Sequence, residues 1–266
     1  MRLSSTAFQT FFRPEECSRR VYLRSKNEPE AEPGAYVEVL RELGKRLEVA
    51  HLAQFRSVTD LSGLNAEERE AKTIDAIKAK SPVIYQPRFR TVKAIAGIDC
   101  EVVGEPDFLI LDGTGYVIRD VKMSRRINEK DHPEILRQLE LYGLLFSETV
   151  GSIPRLEVLN GRREIVSIPY DGGANCLGVL EQVVRIRLLK EKPYEPVGFS
   201  KCGPCGFKKT CWEDAEKSHD LAVINGVDQS LAKTLKGIGV DTYDQLVSAF
   251  DEVKLAEVQK LSLIHI

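Results

Sequence analysis

The sequence predicts an α/β fold, and three observations along its 266 residues lead to this prediction. Apolar residues recur at helical spacing before residue 80, which is typical of amphipathic helices. A stretch rich in β-branched residues and glycine turns then runs from Val83 to Lys122 and predicts a β meander. A helix, a second hairpin and another helix follow, so the segments together predict a sheet flanked by helices.

The helices are predicted from apolar periodicity and from proline or glycine at their boundaries. The first lies within Ser5–Leu23, with Pro14 at its start and Cys17 in its first turn, and a linker follows at Asn27–Gly34. The later helices are expected at Ala35–Phe55, Ala66–Lys80, Pro133–Glu148 and Gly173–Lys190. After an irregular, cysteine-rich loop, short helical patterns separated by glycines predict a small helical module within His219–Leu261.

Two hairpins are predicted from their turn residues. The first has strands Asp107–Leu111 and Tyr116–Lys122 around Asp112-Gly-Thr-Gly115. The second has strands Arg155–Leu159 and Glu164–Ile168 around Asn160-Gly161. Both hairpins are rich in apolar residues, so we expect them to lie in the core of the sheet.

Composition excludes several classes of protein. No apolar run approaches the 18 residues that a transmembrane helix needs. The first residues lack the apolar core of a signal peptide, so we expect a cytoplasmic protein without a membrane partner. The net charge of −2 gives no global electrostatic case for nucleic-acid binding, which would have to be local. Six cysteines in such a chain favour metal binding, catalysis or burial over disulfides.

Acidic residues at one end of the first hairpin are the most informative feature. Asp107 and Asp120 are on adjacent strands and can converge, and Lys122 shares a face with Asp120 because it lies two residues on. Carboxylates are hard ligands for Mg²⁺ or Mn²⁺, which stabilise charge on a phosphodiester and lower the pKa of attacking water. The alternative for such a pattern is a solvated rim. The apolar strands on either side favour a functional site.

Four segments in order resemble the PD-(D/E)XK nuclease core in its RecB-like branch. Gly104-Glu-Pro-Asp107 and Asp120-Val-Lys122 resemble its central motif, and Gln138-Leu-Glu-Leu-Tyr142 resembles the Q-x-x-x-Y motif of the branch. Gly44-Lys-Arg-Leu-Glu48 resembles the helix motif that places a His or Glu four residues after a Gly. The resemblance implies a restriction-endonuclease-like core with a mixed central sheet flanked by helices.

The resemblance also implies roles for these residues. Asp107, Asp120 and the backbone carbonyl of Val121 would hold Mg²⁺ or Mn²⁺, Glu48 would complete the site, and Lys122 would position the nucleophilic water.

Three further residues have implied or alternative roles. Gln138 and Tyr142, one helical turn apart, would contact the DNA backbone; the alternative is a polar–aromatic pair on a packed helix. His51 is the second candidate for the role of Glu48, because many relatives use His there.

The spacing C-x2-C-x5-C of Cys202, Cys205 and Cys211 predicts a tetrahedral-type site that needs a fourth ligand. Spacing alone leaves zinc and an iron–sulfur cluster open. The fourth ligand would come from Cys17, Cys100, Cys176 or His219.

The cysteine pattern resembles the iron–sulfur type of RecB-like nuclease, which includes a CRISPR-adaptation nuclease family and the AddB subunit of helicase–nucleases. In that type, one cysteine precedes the nuclease core and three follow it. The resemblance therefore implies a [4Fe–4S] cluster on Cys17, Cys202, Cys205 and Cys211, with zinc as the alternative. Cys100 and Cys176 are then expected to be buried bystanders.

The expected domains are a nuclease domain over 1–215 and a helix-hairpin-helix-like module over 216–260. For the module, binding of DNA phosphates and a purely structural role both stay open. The last residues, 261–266, are apolar and complete no pattern, so we expect a truncated or non-native tail and further C-terminal domains or a helicase as partners.

These expectations combine into a metal-dependent DNA nuclease, an exonuclease on single-stranded DNA in repair or recombination. The alternative is a non-catalytic zinc- or iron–sulfur-stabilised subunit that binds nucleic acid within a larger complex. Basic residues near the hairpin are expected to form a local groove for phosphates. They include Arg88, Arg90, Lys93, Arg125 and Arg126.

Overall fold

The computed structural model describes residues 1–13, 15–113, 115–194 and 198–248. The chain divides into two compact units. The first unit comprises Met1–Gln9 and Pro33–Arg185, and the second comprises Thr10–Glu32 and the chain from Ile186 onward. Among the described helices, none combines the length and apolarity needed to cross a lipid bilayer.

Within the described residues, the strands all belong to the first unit. They are β1 (Arg2–Ser4), β2 (Thr59–Asp60), β3 (Val83–Tyr85), β4 (Phe89–Ile95), β5 (Ile98–Gly104), β6 (Phe108–Asp112), β7 (Gly115–Val121), β8 (Arg155–Leu159) and β9 (Ile165–Ile168).

The helices are distributed over both units. They are α1 (Thr6–Phe12), α2 (Ser18–Ser25), α3 (Ala35–Leu52), α4 (Ala66–Lys78), α5 (Pro133–Val150), α6 (Ala174–Arg187), α7 (Phe199–Cys202), α8 (Lys208–Lys217), α9 (Gln229–Gly237) and α10 (Tyr243–Ser248), with a 3-10 turn at Leu221–Val223.

A mixed sheet with strand order β2-β3-β6-β7-β8-β9 forms the centre of the first unit. Its two predicted hairpins, β6-β7 and β8-β9, are antiparallel, and β7 pairs with β8 in parallel. A parallel pair needs a crossover connection, and α5 provides it. The predicted α/β class, a mixed central sheet flanked by helices, is therefore confirmed.

A second sheet has the order β1-β5-β4. β4 and β5 form an antiparallel hairpin through Ala96 and Gly97, both of which have positive φ. β1 was not predicted from the sequence, and it adds in parallel to β5. Three residues are too few to show a period, so only the pairing partner defines this strand.

Helix α5 is buried on nearly every side and packs against strands of both sheets. Leu139, Leu141, Leu145 and Phe146 are fully buried, and burying each such side chain stabilises the fold by about 1.5–3 kcal/mol. Pro133 at its first position and the left-handed Gly151 at its end explain its bounds.

Helix α3 was predicted correctly, but its apolar stripe is only partly used. Val37, Leu40 and Leu43 are about 40% exposed, whereas Leu47 packs against the cluster of Val83, Phe108, Val121 and Leu159. Apolar periodicity therefore identified the helix, and only its second half contributes to the core of the first unit.

Two predictions near the cysteines were wrong. The first helix is two helices, α1 and α2, and Cys17 is the N-cap of α2, where its Sγ accepts a hydrogen bond from the N–H of Arg20 at 3.4 Å. The cysteine-rich loop is helical at both ends, because α7 includes Cys202 and α8 includes Cys211. Pro14, Thr114 of the predicted turn, and residues 249–266 lie outside the described residues.

Helices α9 and α10 follow the predicted glycine turns in the second unit. Leu221, Val227, Leu231 and Leu235 form a small apolar cluster, and Gly239, between the two helices, has φ of +85°. This arrangement agrees with the short helices expected there. The helix-hairpin-helix assignment and the domain boundary at residue 215 stay predictions.

A pair of glycines tests the packing of α5. A Cβ on Gly104 of β5 would lie 2.7 Å from Leu145 and 2.8 Å from the ring of Tyr142. Gly104→Ala should therefore lower the free energy of unfolding by about 1–3 kcal/mol through overpacking. Gly178 is an exposed helix residue with nothing within 4 Å, so Gly178→Ala should raise it by about 0.5–1 kcal/mol. Urea unfolding followed by circular dichroism measures both, and equal stabilities would contradict the packing.

Candidate active site

Asp107 and Asp120 converge because of the register of the first hairpin. Phe108 pairs with Arg119, and extending the register by one residue sets Asp107 opposite Asp120 on the same face. The N–H of Asp107 donates to Oδ1 of Asp120 at 3.3 Å, and the N–H of Val121 donates to Oδ2 of Asp107 at 2.7 Å. The structure thus brings together the two carboxylates that the sequence singled out.

Lys122 completes this end of the hairpin. Its Nζ lies 2.5 Å from Oδ2 of Asp120, a carboxylate whose residue is only 1% exposed. Burial alone would lower the pKa of Lys122, but the carboxylates of Asp120 and Asp107 outweigh burial and raise it. Lys122 therefore carries a positive charge that offsets part of the negative charge around it.

Glu48 reaches the same place from helix α3. Its Oε1 accepts a hydrogen bond from the hydroxyl of Tyr85 at 2.8 Å and from Nε2 of Gln86 at 2.7 Å. Nε2 of Gln86 also lies 3.3 Å from Oδ1 of Asp107, so a single amide group connects the two carboxylates. The predicted Glu48 is therefore a neighbour of Asp107.

The electrostatics of Asp107 follow from this crowding. Burial and the negative charge of Asp120 raise the pKa of Asp107 well above its usual range, and Glu48 adds to the effect. The ammonium of Lys122 and the N–H of Val121 oppose it. A buried carboxyl among like charges favours any added positive charge.

The donor chemistry of this cluster fits a hard divalent cation. Glu48, Asp107 and Asp120 offer only carboxylate oxygens, which Mg²⁺ and Mn²⁺ prefer. Their present partners are N–H, O–H and ammonium donors. Across the described parts of the chain, no three His, Cys, Asp or Glu side chains form a group that would hold a metal ion. The metal-ligand roles, including that of the Val121 carbonyl, stay predictions.

His51 has different surroundings from Glu48. It is 4% exposed and packs edge-on against Phe55 and Phe108, with Nε2 3.3 Å from the guanidinium of Arg119. Burial and the charge of Arg119 lower its pKa. Because Arg119 alternates with Asp120 along β7, His51 lies on the sheet face opposite the two aspartates.

Gln138 and Tyr142 contact each other along α5. Nε2 of Gln138 donates to the hydroxyl oxygen of Tyr142 at 2.6 Å, and that hydroxyl donates to Oγ of Ser5 at 3.4 Å. Burial raises the pKa of Tyr142, and so does the negative charge of Asp120. Tyr142 is only 2% exposed, so Gln138 presents the accessible surface of the pair.

A polar cavity of about 340 Å³ lies beside Lys122 and Gln138. Hydroxyl and amide groups dominate its walls. The lining residues are Ser5, Thr6, Gln9, Lys122, Ser124, Glu134, Ile135 and Gln138. The volume is at the lower end of the range of small-ligand sites.

Much of the predicted basic groove is neutralised. Arg88 and Lys93 pair with Glu105 and Glu148, and Arg90 pairs with Glu70 at 2.9 Å. Arg125 and Arg126 follow the site directly and are exposed. Arg125 and Arg126 are therefore the more accessible members of the predicted basic set.

The four cysteines predicted as cluster ligands all belong to the second unit. Burial raises the pKa of Cys17 to about 12, and the charges of the Cys202, Cys205 and Cys211 thiols act in the same direction. None of the four is part of a disulfide, and thiolates are soft ligands that suit both iron–sulfur clusters and zinc.

Backbone contacts join the segment of Cys17 to that of the other three cysteines. The N–H of Ala31 donates to the carbonyl of Gly206 at 3.1 Å, and a Cβ on Gly206 would lie 2.8 Å from the carbonyl oxygen of Ala31. The buried Arg19 also pairs with Asp214 of α8. Only glycine allows this approach between the two chain segments.

The helical pair α9 and α10 offers little positive charge. Lys236, one of its two lysines, bonds to the buried Asp220 at 2.8 Å. Lys233 is exposed. This use of Lys236 favours a structural role for the pair.

Sequence reasoning missed Tyr85, Gln86 and Ser5, which contact predicted site residues. Tyr85 is the last residue of β3, and Gln86 lies between this strand and Pro87. A polar residue between a strand and a proline was the available signal. Ser5 gave none, because only the folded chain brings it to Tyr142.

Comparison with known proteins places this geometry in a family context. The sequence model of the PD-(D/E)XK nuclease superfamily matches residues 6–212. No curated protein matches the chain. The crystal structure of SSO0001 is similar with a TM-score of 0.41 and 16% identity, covering 79% of this chain and 85% of that one. The structure of a candidate exonuclease from Eubacterium rectale is similar with a TM-score of 0.44 and 12% identity, covering 70% and 81%.

Removing one charge from the cluster should stabilise the metal-free fold. Because the folded-state pKa of Asp107 is raised, its contribution to stability is present at low pH and is lost as pH rises. In EDTA, the free energy of unfolding of Asp107→Asn should therefore exceed that of wild type by about 1–3 kcal/mol at pH 8. Near pH 4 the two proteins should differ little.

Urea unfolding of both proteins across this pH range measures the difference. The exposed Asp99, changed to Asn, is the matched control and should follow wild type. A difference for Asp107→Asn that stays flat or shrinks as pH rises would contradict this account.

Proposed function

Because the chain belongs to the PD-(D/E)XK nuclease superfamily and is thus a nuclease, we propose that it is a metal-dependent, RecB-like exonuclease acting on single-stranded DNA. The observation that carries the proposal is the convergence of Glu48, Asp107, Asp120 and Lys122 beside a polar cavity. Carboxylates can hold a divalent cation and an ammonium can offset phosphate charge, so this set suits metal-dependent hydrolysis of a phosphodiester.

The proposed role of each residue follows from its charge. Glu48, Asp107, Asp120 and the carbonyl of Val121 would hold Mg²⁺ or Mn²⁺, the ions that PD-(D/E)XK nucleases typically use. The bound cation supplies charge stabilisation for the phosphodiester and lowers the pKa of attacking water. Lys122 donates hydrogen bonds to this water or to a phosphate oxygen, and its charge offsets that of the phosphate.

The cavity supports an extended strand as substrate. Gln138, with Tyr142 behind it, contacts the DNA backbone next to Lys122, and Arg125 and Arg126 add positive charge after the site. A cavity of about 340 Å³ accommodates part of one strand at a time. The process served is DNA repair or recombination, with a helicase as partner.

The second unit is proposed to hold a [4Fe–4S] cluster on Cys17, Cys202, Cys205 and Cys211. The lack of a disulfide at any of these cysteines and the backbone contact between the segments that carry them support this. Zinc is the alternative for the same thiolates. Either group would tie two distant chain segments together and stabilise the fold as a cross-link does.

Loss of the central charges should abolish DNA degradation. With Mn²⁺ or Mg²⁺, wild type should shorten linear, end-labelled single-stranded DNA, and Lys122→Ala and Asp120→Ala should each be slower by at least about 100-fold. Lys78→Ala, on an exposed position of α4, is the matched control and should keep wild-type activity.

Circular single-stranded DNA distinguishes the mode of cleavage, because an exonuclease leaves it intact. Folded wild-type protein that degrades neither DNA nor RNA with either metal would refute the catalytic proposal and favour the non-catalytic binding subunit.

The colour of the purified protein tests whether it holds an iron–sulfur cluster. Protein purified without oxygen should be brown, with iron and acid-labile sulfide in equal amounts, and Cys202→Ala should lose both because one thiolate ligand is missing. Cys100→Ala and Cys176→Ala change buried cysteines outside the proposed set and should stay brown. A colourless protein with one bound zinc would establish the zinc alternative.

A further inference from the structure

Gln86 occupies the position between two carboxylates that come from different elements. Its Nε2 lies 2.7 Å from Oε1 of Glu48 on α3 and 3.3 Å from Oδ1 of Asp107 before β6. Ionised carboxylates accept hydrogen bonds only, so both require a donor here, and a primary amide has two N–H groups to give. Gln86 thus satisfies both oxygens with a single side chain.

The backbone of Gln86 is held in an uncommon conformation. Its φ is 55°, in the left-handed region that a non-glycine residue seldom adopts because its Cβ crowds the backbone. The N–H of Gln86 donates to the carbonyl of Asp107 at 2.8 Å. Its own carbonyl accepts from Nε and NH2 of Arg69, at 3.1 and 2.9 Å. These three hydrogen bonds hold the backbone of Gln86, and its side-chain Oε1 accepts from NH2 of Arg69 at 3.5 Å.

Arg69 is itself anchored to the segment that leads to Asp107. Its NH1 lies 3.4 Å from Oε2 of Glu105, whose other oxygen pairs with the buried Arg88. Thr73, one turn after Arg69, accepts from the N–H of Arg88 at 2.9 Å. Gln86 is therefore held in place by helix α4 and by the residues before β6.

The choice of a neutral donor has a chemical consequence. A lysine or arginine between Glu48 and Asp107 would neutralise them and remove the attraction for a cation. A glutamate would add a third repelling charge. The amide holds the two carboxylates near each other and leaves both negative charges available.

We propose that Gln86 is a positioning residue, which couples Glu48 to Asp107 so that the two carboxylates face a divalent cation together. Arg69 acts one step further back, by fixing the backbone of Gln86. The inference rests on the proposed metal-dependent function, and it concerns the organisation of the ligands before catalysis.

A double-mutant cycle on Mn²⁺ binding tests this coupling without DNA. Gln86→Met keeps the length of the side chain and removes both donors. It should weaken Mn²⁺ binding, measured by calorimetry or by the free-ion electron paramagnetic resonance signal, by about tenfold, as expected for one charge-assisted hydrogen bond. In the Glu48→Gln background, the same change should alter Mn²⁺ affinity less than about twofold, because the carboxylate through which Gln86 acts is gone.

Controls separate coupling from a general effect on folding. Gln182→Met changes an exposed glutamine of α6 and should leave Mn²⁺ affinity as in wild type. If Gln86→Met does not fold, Arg69→Lys replaces it in the cycle, since lysine cannot reproduce the two bonds of the guanidinium to one carbonyl. In a nuclease assay, Gln86→Met should lose most of its activity at limiting Mn²⁺ and recover much of it at saturating Mn²⁺.

Equal losses of affinity in the wild-type and Glu48→Gln backgrounds would overturn the coupling, and so would unchanged affinity in Gln86→Met. If wild type binds Mn²⁺ and degrades no DNA, the proposed function fails while the coupling is still measured. If wild type binds no Mn²⁺ at all, both are overturned.

Discussion

Asp107 and Asp120 lie side by side where water reaches them poorly, and their repulsion is the constraint on which the first unit depends. Two ionised groups at this separation oppose folding unless other interactions outweigh them. The register of β6 and β7 supplies the rigidity, since Phe108 and Val121 next to the aspartates anchor both strands in an apolar cluster. Helix α5 adds a fully buried surface against both sheets.

The polar groups around the aspartates satisfy them without cancelling their charge. The N–H of Val121, the hydroxyl of Tyr85 and the amide of Gln86 are neutral donors, and Lys122 is the cation in direct contact with Asp120. The cluster therefore keeps a net negative charge. Such a site is costly for the isolated fold and favourable for a divalent cation, which is the usual relation between stability and function at an active site.

The sequence predicted those parts of the site that follow from short-range geometry. Asp107, Asp120 and Lys122 could be placed together because strand period and turn residues fix their faces locally. Gln86 could not, because its partners come from α3 and from Asp107, which precedes β6 and lies more than twenty residues further on. Long-range packing, which no local pattern encodes, decided these contacts.

The same reasoning separates Glu48 from His51. Both are on the inward side of α3, three residues apart, and the sequence left either one open for the site. The structure places Glu48 at the end of β3, beside Tyr85 and Gln86, and His51 among aromatic rings. The position of α3 along the sheet decides which of the two residues reaches the site. Apolar periodicity predicts the helix but not this position. Likewise, Cys17 was expected inside a helix, but it is the cap that begins one.

The second unit combines Thr10–Glu32 with the chain from Ile186 onward, and this has a consequence for biosynthesis. During translation, the early segment leaves the ribosome long before the segment that completes its core. The early segment includes the buried side chains of Phe11, Val21 and Leu23. The later segment of the same unit is synthesised only after residues 33–185. Sheet and helices of the first unit can therefore assemble while these side chains are still exposed, and the cysteine-bearing unit closes last.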